Sequence, residues 1–520
     1  RAFERALAEN ARNEGAFAMK GIMVQGTSSD AGKSFLVTGM CRILSDRGYR
    51  VCPFKSQNMS NNSCVTGDGL EMGRAQAVQA EAGRLAPEVF MNPILLKPRR
   101  DTSSEIVLMG RVFDVPAERD YYRTFTMNEG LAAVRAALSH IEKNFDVIVV
   151  EGAGSPAEVN LNETEIVNMR VAREADVPVI LAADVDRGGA LASIVGTLEL
   201  LGEDRGRVRG IVFNKFRGDL SLFEPAVRWT EERTGIRVVG VMPWLPDVRI
   251  PGEDSLSVNW RGSIRGGDRL AVGVVRLPCI SNHTDMEVFA FEDDVDLIEL
   301  DEPGPIPRLD AVIIPGTKNA VQDMKALHDS GLAQRLRDFY ASGGFIFGVC
   351  GGYQLLGERI DDRHLRENAT IREIEGLGIL PVVTTFEATK RTVRSAGEAV
   401  HPSVLPRCAE ARARIEGYEI HFGETRRLRE DARFHPLFSL DGHEDGLADD
   451  ELRAAGTYLH DVFNNDAFRT SWLNALRRKR NLPERPPVDT AGWRERACDA
   501  LAKRMQEHLD VEYILKLAGL

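Results

Sequence analysis

Cys350 is the residue of this chain whose neighbours point most directly to chemistry. It follows the apolar run 345–349, which is typical of a buried strand, and it precedes Gly351-Gly352 and a segment that can start a helix. A nucleophile between a strand and a helix sits in a sharp turn that exposes its side chain at the carboxyl edge of a sheet. The partial positive charge of a helix N-terminus favours the thiolate. A buried, inert cysteine is the alternative, and the flanking glycines argue against it.

A thiol nucleophile needs a base, and His460 is the candidate. Residues 454–460 form a strand-like run that ends in this histidine, and the polar segment 461–466 follows. A histidine at the end of a strand is commonly a surface residue, but its combination with a cysteine in a strand-end turn favours a general base. We therefore predict that Cys350 and His460 form a catalytic pair.

A phosphate-binding loop is predicted near the other end of the chain. The strand-like run 21–25 leads into residues 26–34, which read GTSSDAGKS, and a helix is expected over 35–46. Glycines allow backbone N–H groups to surround a phosphate, a lysine reaches its oxygens, and a serine hydroxyl can bind Mg²⁺. Five residues separate the two glycines, one more than in the usual P-loop. The predicted ATP-binding residues of this loop are Gly26, Thr27, Asp30, Ala31, Gly32, Lys33 and Ser34.

Composition limits the partners of the protein. Hydrophobic residues make up 43% and charged residues 28% of the chain, which is ordinary for a globular protein. The net charge of -12 argues against nucleic acid as a partner. No apolar run approaches the roughly 18 residues that span a membrane, and the charged N-terminal stretch does not resemble a secretory signal. Seven widely spaced cysteines without a CxxC pair fit a reducing compartment. We expect a cytoplasmic protein without membrane partners.

The 520 residues are too many for one hydrophobic core, so we predict several domains. Strand-like and helical runs alternate in both halves, which predicts an α/β fold with two doubly wound parallel sheets. The predicted divisions are 19–246 for an ATP-dependent domain, 247–270 for a linker, 271–475 for the domain with Cys350, and 476–520 for a C-terminal helical tail. Residues 1–18 are an N-terminal extension, a cloning tail or the end of a fused partner.

The first half resembles dethiobiotin synthetase, a P-loop enzyme that uses ATP to activate a carboxylate. Glu151, at the end of the apolar run 145–150, matches an acidic strand end that holds Mg²⁺ in that family, and Asp68 matches a second acidic metal position. By the same resemblance, Lys55 faces the reacting phosphate and Asn214 contacts adenine. A solvated strand end or a helix cap is the alternative role for Asp68, as it is for Asp184.

The second half resembles the class I glutamine amidotransferases, which have a flavodoxin-like fold. In that family a cysteine attacks the glutamine amide and a histidine relays the proton. The resemblance makes the backbone N–H groups near Gly316 and Gly351 candidates for the oxyanion hole. The usual enzymes carry a glutamate two residues after the histidine, and here that position is Val462.

The third member of the amidotransferase site is therefore open. Glu419 and Asp461 are the nearest acidic candidates in sequence, and a backbone carbonyl is a further one. We expect a plain dyad of Cys350 and His460, since a thiol needs less help than a hydroxyl.

Together the two halves resemble the cobyric acid synthase family. The chain departs from it at Asp461, where members usually carry glycine. The resemblance implies ATP and Mg²⁺ as cofactors, and L-glutamine and a corrinoid as substrates. It also implies amidation of the b, d, e and g carboxylates of adenosylcobyrinic acid a,c-diamide to give adenosylcobyric acid. The stretches that carry the resemblance are 24–34, 55–60, 73–76, 91–98, 151–158, 184–189, 216–219, 417–421 and 456–460.

Three other functions fit parts of the sequence. Cobyrinic acid a,c-diamide synthase has the same pair of domains, but the stretches 55–59 and 91–93 favour the cobyric acid branch. A non-enzymatic P-loop ATPase switch would leave Cys350 and His460 without a role. Dethiobiotin synthetase itself needs no glutamine domain.

Overall fold

The computed structural model describes residues 19–100, 103–113, 124–250, 264–301, 306, 308–367, 370–403 and 414–520. The predicted extension 1–18 and most of the predicted linker 247–270 lie outside these ranges. Within them, no helix combines the length and the apolar character needed to cross a membrane.

The first domain is built on a six-stranded sheet with helices on both faces. Its strands are β1 (Gly21–Gly26), β2 (Val51–Phe54), β3 (Gln57–Met59), β4 (Ser63–Val65), β5 (Glu71–Gly73), β6 (Ile94–Arg100), β7 (Ser103–Leu108), β8 (Arg111–Phe113), β9 (Val147–Glu151), β10 (Val179–Asp184), β11 (Val208–Phe216) and β12 (Val238–Pro243). Its helices are α1 (Lys33–Asp46), α2 (Arg74–Ala82), α3 (Leu131–Asn144), α4 (Met169–Glu174), α5 (Ala190–Leu200) and α6 (Glu224–Thr234).

The main sheet of this domain is parallel and has the order β12-β11-β10-β1-β9-β2. Both faces are apolar, because Ile22 and Val24 pack into the core that includes α1, whereas Met23 packs into the core that includes α3. This alternation along one strand is the pattern of a sheet covered on both sides. The remaining strands form the four-stranded sheet β3-β6-β7-β8 and the hairpin β4–β5.

The second domain has a parallel sheet and a smaller, mostly antiparallel one. Its strands are β13 (Leu270–Val275), β14 (Val295–Leu300), β15 (Ala311–Ile314), β16 (Phe345–Val349), β17 (Arg359–Asp361), β18 (Glu373–Glu375), β19 (Val382–Ala399), β20 (Arg414–Arg427), β21 (Phe434–His435), β22 (Phe438–Leu440), β23 (His443–Asp445), β24 (Leu447–Asp449) and β25 (Ala454–Thr457). Its helices are α7 (Ala320–Asp329), α8 (Leu332–Ala341), α9 (Gly351–Leu356) and α10 (Asp466–Lys479), followed by the C-terminal helices α11 (Thr490–His508) and α12 (Val511–Leu517).

The predicted α/β class with parallel sheets in both domains is confirmed. In the second domain β14, β13, β15, β16 and β25 run parallel in that order. The sequence reasoning did not anticipate that β24 and β21 extend this sheet in the antiparallel direction. The connection from β24 to β25 is only 450–453, and a connection this short joins antiparallel rather than parallel neighbours.

The C-terminal helices return to the first domain. Arg42 of α1 donates from Nε to Asp499 of α11 at 2.9 Å, and a Cβ placed on Gly39 would lie 2.0 Å from Sδ of Met505. Gly39 therefore permits the close approach of α1 and α11. The predicted start of the tail at 476 falls inside α10, which is continuous from Asp466 to Lys479.

The two domains meet across a buried cluster of charges. Nζ of Lys97 lies 2.6 Å from Glu71, and Nζ of Lys390 lies 2.7 Å from the same carboxylate. Lys318 and Lys390 both contact Glu105, at 2.9 and 2.8 Å. Lysines of the second domain thus neutralise glutamates of the first, and buried charges are tolerated when they are paired in this way.

Candidate active site

Cys350 occupies a strained turn between β16 and α9. Its backbone has φ 51 and ψ -108, a conformation that non-glycine residues rarely adopt and that is typical of a nucleophile turn. A Cβ on Gly352 would lie 2.0 Å from the carbonyl oxygen of Ile314, and one on Gly348 would lie 2.5 Å from the carbonyl oxygen of Gly352. Only glycine fits at these two positions, so the sequence around Cys350 determines the turn.

The segment that follows β15 lies beside both His460 and the residue after Cys350. A Cβ on Gly316 would lie 3.0 Å from Cε1 of His460, and a Cβ on Gly351 would lie 2.8 Å from the backbone nitrogen of Thr317. The structure thus brings together the two glycines that we predict to flank an oxyanion hole. Their role as donors stays a prediction.

His460 has an acidic partner that the sequence reasoning missed. Its Nδ1 lies 2.7 Å from Oδ2 of Asp285, and Oδ1 of Asp285 accepts the backbone N–H of Asp461 at 3.0 Å. Both side chains are almost fully buried. The expectation of a plain dyad is therefore wrong.

The two acids considered from sequence have other partners. Glu419 accepts hydrogen bonds from Arg391 at 2.7 Å and from Ser395 at 2.6 Å, and Asp461 pairs with Arg74. Asp285 lies in the 3₁₀ helix His283–Phe291, 175 positions before His460. The available signal was the polar run 281–285, which soon follows the buried strand β13.

The charge of His460 is set by its neighbours. Burial by itself would lower the pKa of His460, but the charges of Asp285 and Cys350, together with hydrogen bonds to both, raise that pKa from 6.5 to about 10. At neutral pH the ring is therefore an imidazolium that can donate to both partners. Such a ring can give its proton to a leaving amine beside Cys350.

The P-loop has the geometry of a phosphate cradle. Gly32 has φ 88, and a Cβ there would lie 2.0 Å from Nδ2 of Asn214, which donates to the carbonyl oxygen of Ala31 at 2.8 Å. Nζ of Lys33 donates to the carbonyl oxygens of Ser28 and Gly154, at 3.2 and 3.1 Å. Asn214 therefore supports the loop directly, and its predicted contact with adenine stays a prediction.

The other predicted residues of the loop connect it to neighbouring strands. The backbone N–H of Thr27, which follows Gly26 at the end of β1, donates to Ala182 of β10 at 2.9 Å. Asp30 has φ 57 and pairs with Arg187 at 3.1 Å. These contacts position the loop at the carboxyl edge of the parallel sheet, where ligands of such sheets bind.

Glu151 gathers the groups predicted to hold Mg²⁺. Its Oε1 accepts from Oγ of Ser34 at 2.9 Å and lies 2.9 Å from Nζ of Lys55. Gln79 of α2 donates to Oε2 of the same carboxylate. A carboxylate beside a serine hydroxyl is a set of hard oxygen donors, which fits Mg²⁺.

Asp68 does not join this group. It lies in the turn between β4 and β5, where it hydrogen-bonds Thr66, and a Cβ on the adjacent Gly69 would lie 3.9 Å from the carbonyl oxygen of Thr392 in the second domain. The pairing of Val65 with Glu71 directs this turn toward the domain junction. Over the described ranges, no group of three or more His, Cys, Asp or Glu side chains could hold a metal ion, and the predicted metal role of Asp68 stays a prediction.

Comparisons with known proteins agree with this two-site organisation. Residues 22–258 match the CobQ/CobB/MinD/ParA nucleotide binding domain, and residues 271–468 match the CobB/CobQ-like glutamine amidotransferase domain. The chain is 43% identical to cobyric acid synthase of Geobacillus kaustophilus, over 95% of this chain and 96% of that protein. The chain belongs to the cobyric acid synthase family.

Two further cobyric acid synthases have a similar sequence identity to this chain. Cobyric acid synthase of Desulfitobacterium hafniense is 45% identical over 96% of this chain and 98% of its own length. That of Dehalococcoides mccartyi is 45% identical over 95% and 97%. The chain is accordingly a glutamine-dependent ligase with a nucleotide-binding domain.

Proposed function

We propose that this protein is a cobyric acid synthase that uses glutamine and ATP to amidate the b, d, e and g carboxylates of adenosylcobyrinic acid a,c-diamide. The observation that carries the proposal is the presence, in one chain, of a buried Cys350–His460–Asp285 site and a P-loop whose Ser34 contacts Glu151. The first arrangement suits release of ammonia from an amide, and the second suits transfer of a phosphoryl group. The printed name of the relatives, cobyric acid synthase, supports a corrinoid as the class of substrate.

In the second domain, Cys350 attacks the side-chain carbonyl carbon of glutamine as a thiolate beside the His460 imidazolium. His460 donates its proton to the departing nitrogen, so that ammonia leaves and a glutamyl thioester remains. The neutral His460 then takes a proton from the water that hydrolyses this thioester, the glutamate formed loses its carboxyl proton to solvent, and Cys350 returns as the thiolate beside the imidazolium. Asp285 keeps Nδ1 of the ring protonated through both steps.

The glutamine cleft lies beside Cys350 on the side of the domain junction. It is lined by Gln354, Arg366, Glu367 and Lys390, among others. Arg366 and Lys390 are cations that match the carboxylate of a free amino acid, whereas burial raises the pKa of Glu367 to about 8.

In the first domain, Lys33 and the backbone N–H groups of the P-loop hold the phosphates of ATP. Ser34 and Glu151 would hold Mg²⁺, which neutralises the charge of the transferring phosphate. The substrate carboxylate attacks the γ-phosphorus to give an acyl phosphate and ADP. Ammonia then displaces phosphate to give the amide, and Lys55, 2.9 Å from Glu151, is placed to stabilise the transferring group.

A cleft beside the P-loop is the proposed corrinoid site. Its volume is about 750 Å³, and Thr27, Ser28 and Gly154 line it together with Met59 and Leu161. Met59 and Leu161 are 58% and 50% exposed, so they give this cleft an apolar rim. An apolar rim beside a phosphate loop suits a broad ring that presents a carboxylate to ATP.

The test is an assay with purified protein, glutamine, ATP, Mg²⁺ and adenosylcobyrinic acid a,c-diamide. We expect glutamate, ADP and phosphate to form, and mass spectrometry to show four successive amidations of the corrinoid. Conversion of the fully acidic precursor instead would identify cobyrinic acid a,c-diamide synthase. ATP hydrolysis without glutaminase activity would favour the ATPase switch.

A further inference from the structure

A buried ion pair joins the first domain to the base of the second. Nη1 of Arg74, the first residue of α2, lies 3.0 Å from Oδ2 of Asp461, and their side chains are 9% and 18% exposed. Burial by itself would raise the pKa of Asp461, but the charges of Arg74, Arg494 and His460, with the hydrogen bond from Arg74, together lower that pKa. Asp461 follows His460 directly, and its backbone N–H donates to Asp285 at 3.0 Å. Arg74 therefore holds the residue that follows His460 in sequence and that donates to the acidic partner of His460.

A second path from the same segment reaches the imidazole through Tyr418. The ring of Tyr418 stacks on that of His460, with the centroids 5.1 Å apart and the planes at 19°. The Tyr418 hydroxyl donates to the backbone carbonyl oxygen of Ser63 at 2.9 Å. Ser63, in β4, also donates its N–H to Asn282, three residues before Asp285, at 3.1 Å. The segment 63–74 thus touches His460's surroundings from two directions.

The same helix reaches the nucleotide site at its other end. Gln79 lies five residues after Arg74, a distance of about 7.5 Å along a helix, and donates to Oε2 of Glu151. Oε1 of Glu151 contacts Ser34 and Lys55. One short, almost fully buried helix therefore connects the carboxylate of the nucleotide site to the base of the glutaminase site.

We infer that α2 couples the two sites, with Arg74 as a positioning residue for His460 that responds to occupancy at Glu151. The inference rests on the proposed function, because it assigns regulation to those same sites. A cation bound at Glu151 competes with Gln79 for Oε2, which frees α2 to shift along its axis. That shift changes the geometry of the ion pair between Arg74 and Asp461. Because the Asp461 N–H donates to Asp285, it also changes the alignment of Asp285 with His460. Glutamine is then hydrolysed fastest when ATP is ready to use the ammonia.

The first test measures glutamine hydrolysis by full-length Arg74→Ala, with and without ATP, Mg²⁺ and the corrinoid. In the wild type we expect the nucleotide to stimulate hydrolysis. In the variant we expect kcat to fall about tenfold, the scale of coupling between contacting residues, and the stimulation to vanish. The KM for glutamine should stay within twofold, because Arg74 does not line the cleft beside Cys350. Synthesis from ammonium should persist.

Gln79→Leu tests the other end of the helix. This substitution removes the hydrogen bond to Glu151 and leaves the Arg74–Asp461 pair in place. We expect the ratio of glutaminase rates with and without nucleotide to fall toward one. Arg84→Ala is the matched control, since Arg84 lies two residues beyond α2 and pairs with Asp46 on the surface, where both side chains are exposed. This control should keep both the basal rate and the stimulation.

A neutral variant covers the case in which Arg74→Ala does not fold because Asp461 is left buried without its partner. Arg74→Gln combined with Asp461→Asn replaces the ion pair by a neutral pair that can still hydrogen-bond, and the same loss of stimulation is expected.

Two outcomes would overturn the coupling. One is that nucleotide still stimulates glutamine hydrolysis in Gln79→Leu and also in Arg74→Ala. The neutral double variant takes the place of Arg74→Ala if that protein does not fold. The other is a loss in Arg84→Ala equal to that in Arg74→Ala. A wild-type protein that hydrolyses no glutamine, or forms no amide from ammonium, would instead contradict the proposed function.

Discussion

Replacing Asp285 by asparagine should disable glutamine hydrolysis and leave the nucleotide site intact. The contact between Asp285 and Nδ1 of His460 is 2.7 Å long and buried. The rise in the pKa of His460 from 6.5 to about 10 corresponds to on the order of 5 kcal/mol in favour of the imidazolium. Asparagine removes the negative charge of the Asp285 carboxylate. Its amide can also present an N–H to Nδ1 of His460, which selects the wrong tautomer of the ring. In Ser–His–Asp enzymes that change costs about 10⁴ in kcat, and a thiol needs less help, so we expect a loss of about 10² to 10³.

The assay is release of glutamate from glutamine across pH, alongside synthesis driven by ammonium. In the wild type, kcat should fall as pH rises through about 10, because His460 then loses the proton that it donates to ammonia. In Asp285→Asn this alkaline limb should move down toward pH 6.5. Synthesis from ammonium should remain close to the wild-type rate, since Asp285 belongs to the second site alone.

Asp293→Asn is the control on the same stretch of chain, because the side chain of Asp293 is 85% exposed and pairs only with Arg485 among the ion pairs of the described residues. It should match the wild type in rate and pH profile. If Asp285→Asn keeps more than half of the wild-type kcat with an unchanged alkaline limb, the positioning role of Asp285 is refuted.

Four further predictions concern the two sites. Cys350→Ala should abolish synthesis from glutamine and retain synthesis from ammonium, as measured by amide formation; loss of both in a folded protein would contradict the division of labour. Lys33→Ala should abolish amide formation with either nitrogen source, because the cation aimed at the transferring phosphate is gone, and ammonium-driven turnover in this variant would place the ATP site elsewhere. Glu151→Gln should raise the Mg²⁺ concentration needed for half-maximal activity at least tenfold, whereas an unchanged requirement would make Glu151 structural. Folding raises the pKa of His460, so the stability that its charged form contributes is fully present below pH 6.5 and is lost as pH rises through about 10. The urea midpoints of the wild type and His460→Gln should therefore converge between these two pH values. A difference in midpoint that stays constant with pH would contradict the raised pKa.

Local sequence predicted the parts of each site that are formed by consecutive residues. The turn at Cys350 and the P-loop at Gly32 depend on glycines that no larger residue could replace, at Gly352 and Gly32 itself. Apolar runs such as β16 predicted the parallel strands that present each of these loops at the carboxyl edge of its own sheet. Such features depend on spacing of a few residues, so a single sequence is enough to identify them.

The error arose where the partner of a residue is distant in sequence, because the expected plain dyad overlooked Asp285, 175 positions before His460. The metal role of Asp68 and the adenine contact of Asn214 stay predictions. The structure adds that Asp68 hydrogen-bonds Thr66 and that the Asn214 amide supports the P-loop from 183 positions away. Hydrophobic periodicity predicts which face of a strand is buried. It does not predict which polar side chain from a distant part of the sequence will contact that strand.

The sequence by itself thus determined the two chemistries, a thiol with a base and a phosphate loop with Lys33 and Ser34. Only the tertiary structure decided which distant residues these groups contact. The Asp285 partner of His460 and the path from Glu151 through α2 to Asp461 consist of contacts between residues 72 to 387 positions apart. Packing two domains against each other creates these contacts, because buried charges and imidazoles must find partners wherever the fold brings them. Short-range sequence patterns therefore do not predict these contacts.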